Sequence, residues 1–354
     1  MPPLRAMLVT PLSGPLARFG RAGAAALRLW ATQAPGVPAP WTTVDLEGVD
    51  AYPSASTAMR TAASRRPDVL FGPYGSGPAV AALQATRRVV WNHGGATIRL
   101  RRPTFAHALN VVRPGASYFD AVLRAMRASD LAVGRVALLY STTGFGQEVA
   151  AGAASTSHEL GLELRATSFA PGQVAAAAEA LARGDALLVA GAFDDELVAA
   201  RLLLGRGWRA AAFVGAGVEE VLAPLGPARE GLLGPAQWVA RVAQAPEEGP
   251  DAAWFVAAFH ATVGAEPPYP AAAAFAAGVL AARCLREAGS TEDGAALGTA
   301  ARLAIRTLFG DFRLDPETGL QVGHEVLVVQ WQAGVRRVVW PPGRAERPIL
   351  PLRP

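Results

Sequence analysis

The sequence predicts an α/β chain built as two doubly wound parallel-sheet domains. Three observations predict it. Short apolar, β-like runs alternate with alanine- and leucine-rich segments over most of the length, the pattern of βαβ units and parallel sheets. The eight strand-like runs fall into two groups of four, separated by HALNVVRPGASYFD (107–120), where Pro114 and Gly115 break the chain ahead of a new helix. Each run is closed by a loop that holds glycine with a polar or aromatic residue, and in open parallel sheets ligands bind beyond the carboxyl ends of the strands.

In chain order, the first group is AMLVT (6–10), TTVDL (42–46), DVLFG (68–72) and RVVWN (88–92). The second is RVALLY (135–140), LELRATS (162–168), DALLVAG (185–191) and AAFVG (211–215), running on to about GLLGPAQW (231–238). Only helical patterns follow, near 251–263, 271–288 and 295–308, and these could decorate either domain. Two strand-like runs, EVLVVQW (325–331) and VRRVVW (335–340), come last. Neither a tandem repeat nor a heptad pattern is visible.

Among the loops, DVLFGPYGSGPAV (68–80) carries the most chemistry. A strand, a glycine turn and a helix start form an anion site, because the first N–H groups of a helix lack intrahelical acceptors and the macrodipole adds positive charge there. A phosphate loop would need G-x-x-x-x-G-K-[ST], and the chain contains no lysine. Gly72, Gly75 and Gly77 have the wrong spacing for a dinucleotide fingerprint, and Tyr74 stands where a hydrolase elbow needs its first glycine. Two readings survive: a carboxylate or similar small anion held by Ser76 and nearby N–H groups, or an ordinary turn in which Ser76 caps the helix. The other strand-closing loops are TPLSGPLARFG (10–20), WNHGGAT (91–97), YSTTGFGQE (140–148), AGAFDDE (190–196) and VGAGVEE (214–220).

Composition excludes several function classes. At 354 residues and 51% hydrophobic content, the chain can bury two cores. Its net charge of +4 rests on scattered arginines, which argues against nucleic acid as partner. A single cysteine, Cys284, permits no intrachain disulfide and no Cys-rich metal site, and the histidines at 93, 107, 158, 260 and 324 lack metal-ligand spacing. The longest apolar segment, about 269–285, is alanine-dominated and falls short of a membrane span. The chain opens almost directly into LRAMLVT (4–10), so the expectation is either a cytoplasmic protein or one whose export signal has been removed.

Taken in order, PLSGPLARFG, GPYGSGPA, GGAT, TTGFGQE and the terminal VVQWQAGVRRVVWPPGRAERPILP resemble the type I periplasmic binding proteins, specifically the leucine/isoleucine/valine-binding family. The likeness spans essentially the whole chain. It implies two lobes, residues 1–113 with 239–309 and residues 114–238 with 310–354, joined by a three-stranded hinge and closing on a ligand cleft. It implies a non-catalytic, extracytoplasmic substrate-binding component of an ABC transporter, needing no cofactor and partnered by a membrane permease. Carried over by position, Ser76 and Thr97, with the backbone at Gly95 and Ala96, would hold the ligand carboxylate. Phe19 would form an aromatic wall, and Phe145 and Phe193 fall where relatives often carry tyrosine.

Around these, Tyr74 and Trp91 could border the cleft, with Trp91 the better candidate for burial in its strand. His93 and Asn92 would either donate to the ligand or satisfy their own loop. One position departs from the family pattern: Gly217 stands where amino-acid receptors place an acid for the ligand ammonium. Glu219 or Asp194 could substitute, or the ligand could be an organic acid or an amide. The same fold would also serve a cytoplasmic amide or amino-acid sensor. An α/β enzyme is the reading from another class, and no nucleophile–base spacing supports it.

Overall fold

A computed structural model describes residues 2–34, 36–218 and 221–352. The chain divides into two compact units, Met1–Pro114 with Trp238–Glu325 (unit 1) and Gly115–Gln237 with Val326–Pro354 (unit 2). Unit 1 begins with β1 (Leu4–Thr10), α1 (Ala17–Gln33), β2 (Val44–Asp50), α2 (Ala55–Ser64), β3 (Val69–Phe71), α3 (Ser76–Gln84), β4 (Val90–Asn92) and β5 (Ala108–Asn110). Unit 2 follows with α4 (Ala116–Arg127), β6 (Arg135–Ser141), α5 (Gly144–Glu159), β7 (Glu163–Phe169), α6 (Val174–Glu179), β8 (Ala186–Ala190), α7 (Phe193–Leu203), β9 (Ala210–Phe213) and β10 (Leu233–Ala236). The chain returns to unit 1 as α8 (Ala252–Val263), α9 (Tyr269–Ala288), α10 (Asp293–Ala300), β11 (Ala304–Thr307) and β12 (Gly310–Arg313), then ends in unit 2 with β13 (Leu327–Gln332) and β14 (Val335–Trp340).

The unit 1 sheet has the order β2-β1-β3-β4-β5, with every neighbour parallel. Apart from the edge strand β2 (VDLEGVD), its strands are largely buried apolar runs because both faces are covered. On one face Met7, Val9, Leu70 and Val90 pack with Ala58, Met59 and Ala62 of α2 and Ala79 and Leu83 of α3. On the other, Trp30 of α1 meets Phe71 edge-on at 5.8 Å. The alanine-rich α9 lies along α1, and its small side chains let the two approach closely: a Cβ on Gly278 would fall 2.3 Å from the Trp30 indole. The apolar segment near 269–285 is therefore a helix–helix contact inside unit 1. No helix among the described residues is long and apolar enough to cross a membrane.

The unit 2 sheet runs β14-β13-β10-β9-β8-β6-β7. From β7 to β10 the neighbours are parallel; β13 then pairs antiparallel with β10, and β14 with β13. The two last strand-like runs of the sequence thus extend this sheet.

Three expectations from the sequence need correction. Ala108–Asn110, read as part of a crossing, is the fifth strand of unit 1, paired in register with Val90–Asn92. The last helical pattern stops at Ala300, and Ala304–Thr307 instead forms an antiparallel hairpin with Gly310–Arg313. Residues 310–325, expected in the C-terminal lobe, belong to unit 1. Hydrogen bonds hold them there: Asn110 Nδ2 donates to Gly319 O at 2.9 Å, Arg102 N to Thr318 O at 2.8 Å, and Gln321 Nε2 to Val111 O at 3.3 Å.

Candidate functional site

In unit 1 the winding reverses between β1 and β3, and in unit 2 between β6 and β8. At such a switch point the loops leave the sheet in opposite directions and open a crevice beyond the strand ends. Each switch-point loop holds or leads into an aromatic residue: Phe19 in the first turn of α1 and Tyr74 in unit 1, Phe145 and Phe193 in the first turns of α5 and α7 in unit 2.

The loops after β3 and β4 are laminated together. Tyr74 bridges Gly94, and Gly75 N donates to Gly94 O at 3.0 Å. Gly75 sits at φ 96°, where a side chain would be strained, and a Cβ on Gly94 would reach 2.7 Å from Tyr74 Cα. Gly75, not Ser76, is the N-cap of α3, and no side chain caps that helix. Ser76 Oγ instead donates across the seam to Ala96 O at 3.2 Å. Thr97, buried beside it, accepts from Arg99 N on its hydroxyl at 3.2 Å. Among the described residues the N–H groups of Ser76, Gly77 and Ala96 carry no hydrogen bond. The seam therefore gathers hydroxyls and unspent N–H donors, a chemistry suited to a compact anion.

Phe19 is buried, its ring 5.0 Å from that of Tyr74. Tyr74 also shares a hydrogen bond with Tyr269, hydroxyl to hydroxyl at 3.1 Å. Sequence reasoning missed Tyr269, the first residue of α9, whose only signal is an aromatic after two prolines at a helix start. Trp91 is buried in β4.

Asn92 satisfies its own loop. Its side chain exchanges hydrogen bonds with Gly95, accepting from N at 2.8 Å and donating to O at 2.9 Å, and reaches Asn110 Oδ1 at 2.8 Å. His93 is fully buried beside Gly23 of α1, and neither ring nitrogen has a partner among the described residues. Burial holds its pKa down at about 4, so the ring is neutral. The unfolded chain takes up this proton near pH 6.5 and the folded chain resists it to about 4. Stability from this group is therefore complete above pH 6.5 and is lost as pH falls toward 4, by about 3 kcal/mol. His93→Leu is expected to flatten that acid limb and raise the melting temperature, since an unpaired buried polar group is removed. An unchanged acid limb in thermal melts from pH 4 to 7 would contradict the assignment.

In unit 2, Phe145 opens α5 and lies edge-on to Tyr118 at 5.9 Å. Phe193 opens α7; Asp194 beside it is exposed. Glu219 lies outside the described residues. Gly217 is buried, and a Cβ there would fall 1.8 Å from Pro235 O, so this backbone accepts no side chain at that position. The acids that sequence reasoning passed over are the buried ones. Glu148 accepts from Ala116 N at 3.4 Å, Asp195 from Gly172 N at 3.0 Å, and Glu196 from Gly191 and Gly215 N at 3.2 and 2.7 Å.

A family model described as a periplasmic binding protein matches residues 3–336. Among solved structures, a leucine-binding protein from Thermotoga maritima aligns at 17% identity over 95% of this chain and 97% of its own, with a TM-score of 0.80. An ABC-transporter solute-binding protein from R. palustris in complex with benzoate aligns at 18% identity over 96% of both chains, with a TM-score of 0.78. A branched-chain amino acid transporter substrate-binding protein from Streptococcus pneumoniae in complex with isoleucine aligns at 16% identity over 96% of this chain and 100% of its own, with a TM-score of 0.77. These likenesses establish a shared fold, the type I periplasmic binding protein architecture. No curated protein sequence gives a significant match.

Proposed function

The chain belongs to the periplasmic binding protein family, and on that premise we propose that it is an extracytoplasmic solute-binding protein of an ABC transporter, taking a small carboxylate with an apolar body and delivering it to a membrane permease. One observation carries the reading: the seam of the 72–76 and 93–97 turns sets Ser76, Thr97 and unspent N–H groups beside the Phe19–Tyr74 wall. Benzoate and isoleucine, bound in two of the similar structures, both combine a carboxylate with an apolar body.

A ligand ammonium is harder to accommodate. Gly217 has no room for a side chain, and a buried ammonium without an anionic partner is costly. An organic acid or an amide thus fits at least as well as a branched-chain amino acid.

Calorimetric titration with hydrophobic amino acids, matching acids and amides tests the reading. For a ligand that binds, Ser76→Ala and Thr97→Ala are each expected to weaken affinity about tenfold, the worth of one charge-assisted hydrogen bond. Variants with wild-type affinity would remove this seam from the site; a panel with no binder would remove the small carboxylate.

A further inference from the structure

Three turns at the carboxyl ends of β7, β8 and β9 in unit 2 are tied to two consecutive acids on α7. Asp195 Oδ1 accepts from Gly172 N, after β7. Glu196 Oε1 accepts from Gly191 N, after β8, and Oε2 from Gly215 N, after β9. The fit at Glu196 is tight: a Cβ on Gly215 would lie 2.7 Å from Oε2 and 3.4 Å from Phe193 Cδ1. Phe193 thus rests on a turn that Glu196 holds in place.

We propose that Glu196 is a positioning residue for the ligand-side turns of unit 2, which sets Phe193 and the 214–217 turn through its bonds to backbone N–H groups and releases them when it takes up a proton. The proposal rests on the reading above, in which Phe193 belongs to the ligand site.

An ionised carboxylate is acceptor-only and can take the N–H groups of Gly191, Val214 and Gly215 together. On protonation one oxygen becomes a donor facing an N–H, and the bond on that side is lost. Burial pushes the Glu196 pKa up to about 8, against the pull of those N–H groups, which places the change near neutral pH. Charged residues on the elements packed against α7 are Glu179 of α6, Arg206 of the 204–206 turn and Arg229 of the 223–229 turn. Among the described residues, the charge that acts on Glu196 is that of Asp195. Folded-state proton binding is the tighter, so global stability from this group is complete below pH 4.5 and declines as pH rises through about 8. Tightening of the turns with rising pH therefore runs opposite to the global trend, which separates the two effects.

The experiment is amide hydrogen exchange of the full chain from pH 6 to 9.5, corrected for intrinsic rates, with isothermal titration of benzoate and of leucine over the same range. In the wild type, protection across 190–192 and 213–218 is expected to rise about tenfold through pH 8 while that of β6 falls with global stability, and the rise to be absent in Glu196→Gln. Affinity for whichever probe binds should follow the same curve and flatten in the variant. A flat wild-type profile, or a transition that survives Glu196→Gln, overturns the tie; the wild-type arm decides even if the variant does not fold. An exchange transition with pH-independent affinity overturns the positioning role. If neither probe binds at any pH, the proposed ligand class fails, and the exchange arm still decides whether Glu196 holds the turns.

Discussion

Gly217→Glu is expected to cost unit 2 about 3 kcal/mol or more, at the upper end for overpacking, and Gly217→Ala nearly as much. The obstacle is the first side-chain atom: a Cβ on Gly217 would meet Pro235 O at 1.8 Å, and a Cβ on Gly234 would meet Gly217 N at 2.1 Å. Both contacts are with backbone, so no rotamer change relieves them. The turn is fixed from the other side by Trp331 Nε1, which donates to Ala216 O at 3.2 Å, and by Arg336, whose guanidinium donates to Gly217 O. β10, against which it presses, is also where the sheet changes from parallel to antiparallel pairing. Urea unfolding of both variants measures the cost. A loss below about 1 kcal/mol for Gly217→Ala would mean that the turn can back away from β10, and an acid at 217 would again be compatible with the fold.

Gly217 also shows where sequence reasoning stops. Read along the chain, it looks like an acid that has been replaced; in the folded unit it is a position where backbone meets backbone. The alternation of strands and helices was legible because buried parallel strands are continuous apolar runs, and the switch-point loops because each needs glycine. Short elements were not: Ala108–Asn110 and Ala304–Thr307 are too brief for a period to show. The lobe of 310–325 depended on Asn110 and Gln321 reaching more than two hundred residues along the chain. Asp194, the acid of the 193–196 run that the sequence singled out, is exposed, whereas its neighbours Asp195 and Glu196 are buried and bonded to three turns. Burial of that kind is set by neighbours distant in sequence, and no local pattern announces it.

Gly95→Val is expected to abolish the response to any carboxylate that the wild type binds and to lower stability by about 2–3 kcal/mol. A Cβ on Gly95 would fall 2.3 Å from Ala79 Cβ and 2.8 Å from Asn92 Oδ1. Ala79 is a core residue of α3, so relief of the first contact pushes the helix start away from the 93–97 turn, which pulls the Ser76 and Gly77 amides from Ala96 and Thr97. Relief of the second breaks the Asn92–Gly95 exchange and with it the link to Asn110. Loss of packing and loss of the site are thus one event, and a double-mutant cycle separates them from general damage. Ala79→Gly removes the atom at 2.3 Å, so Gly95→Ala combined with Ala79→Gly should be more stable than the two single losses added together, by about 0.5–3 kcal/mol. It should also regain part of the ligand response. Strict additivity would show that Gly95 matters for a reason other than its approach to α3, and a Gly95→Val chain that still binds with wild-type affinity would place the ligand away from this seam.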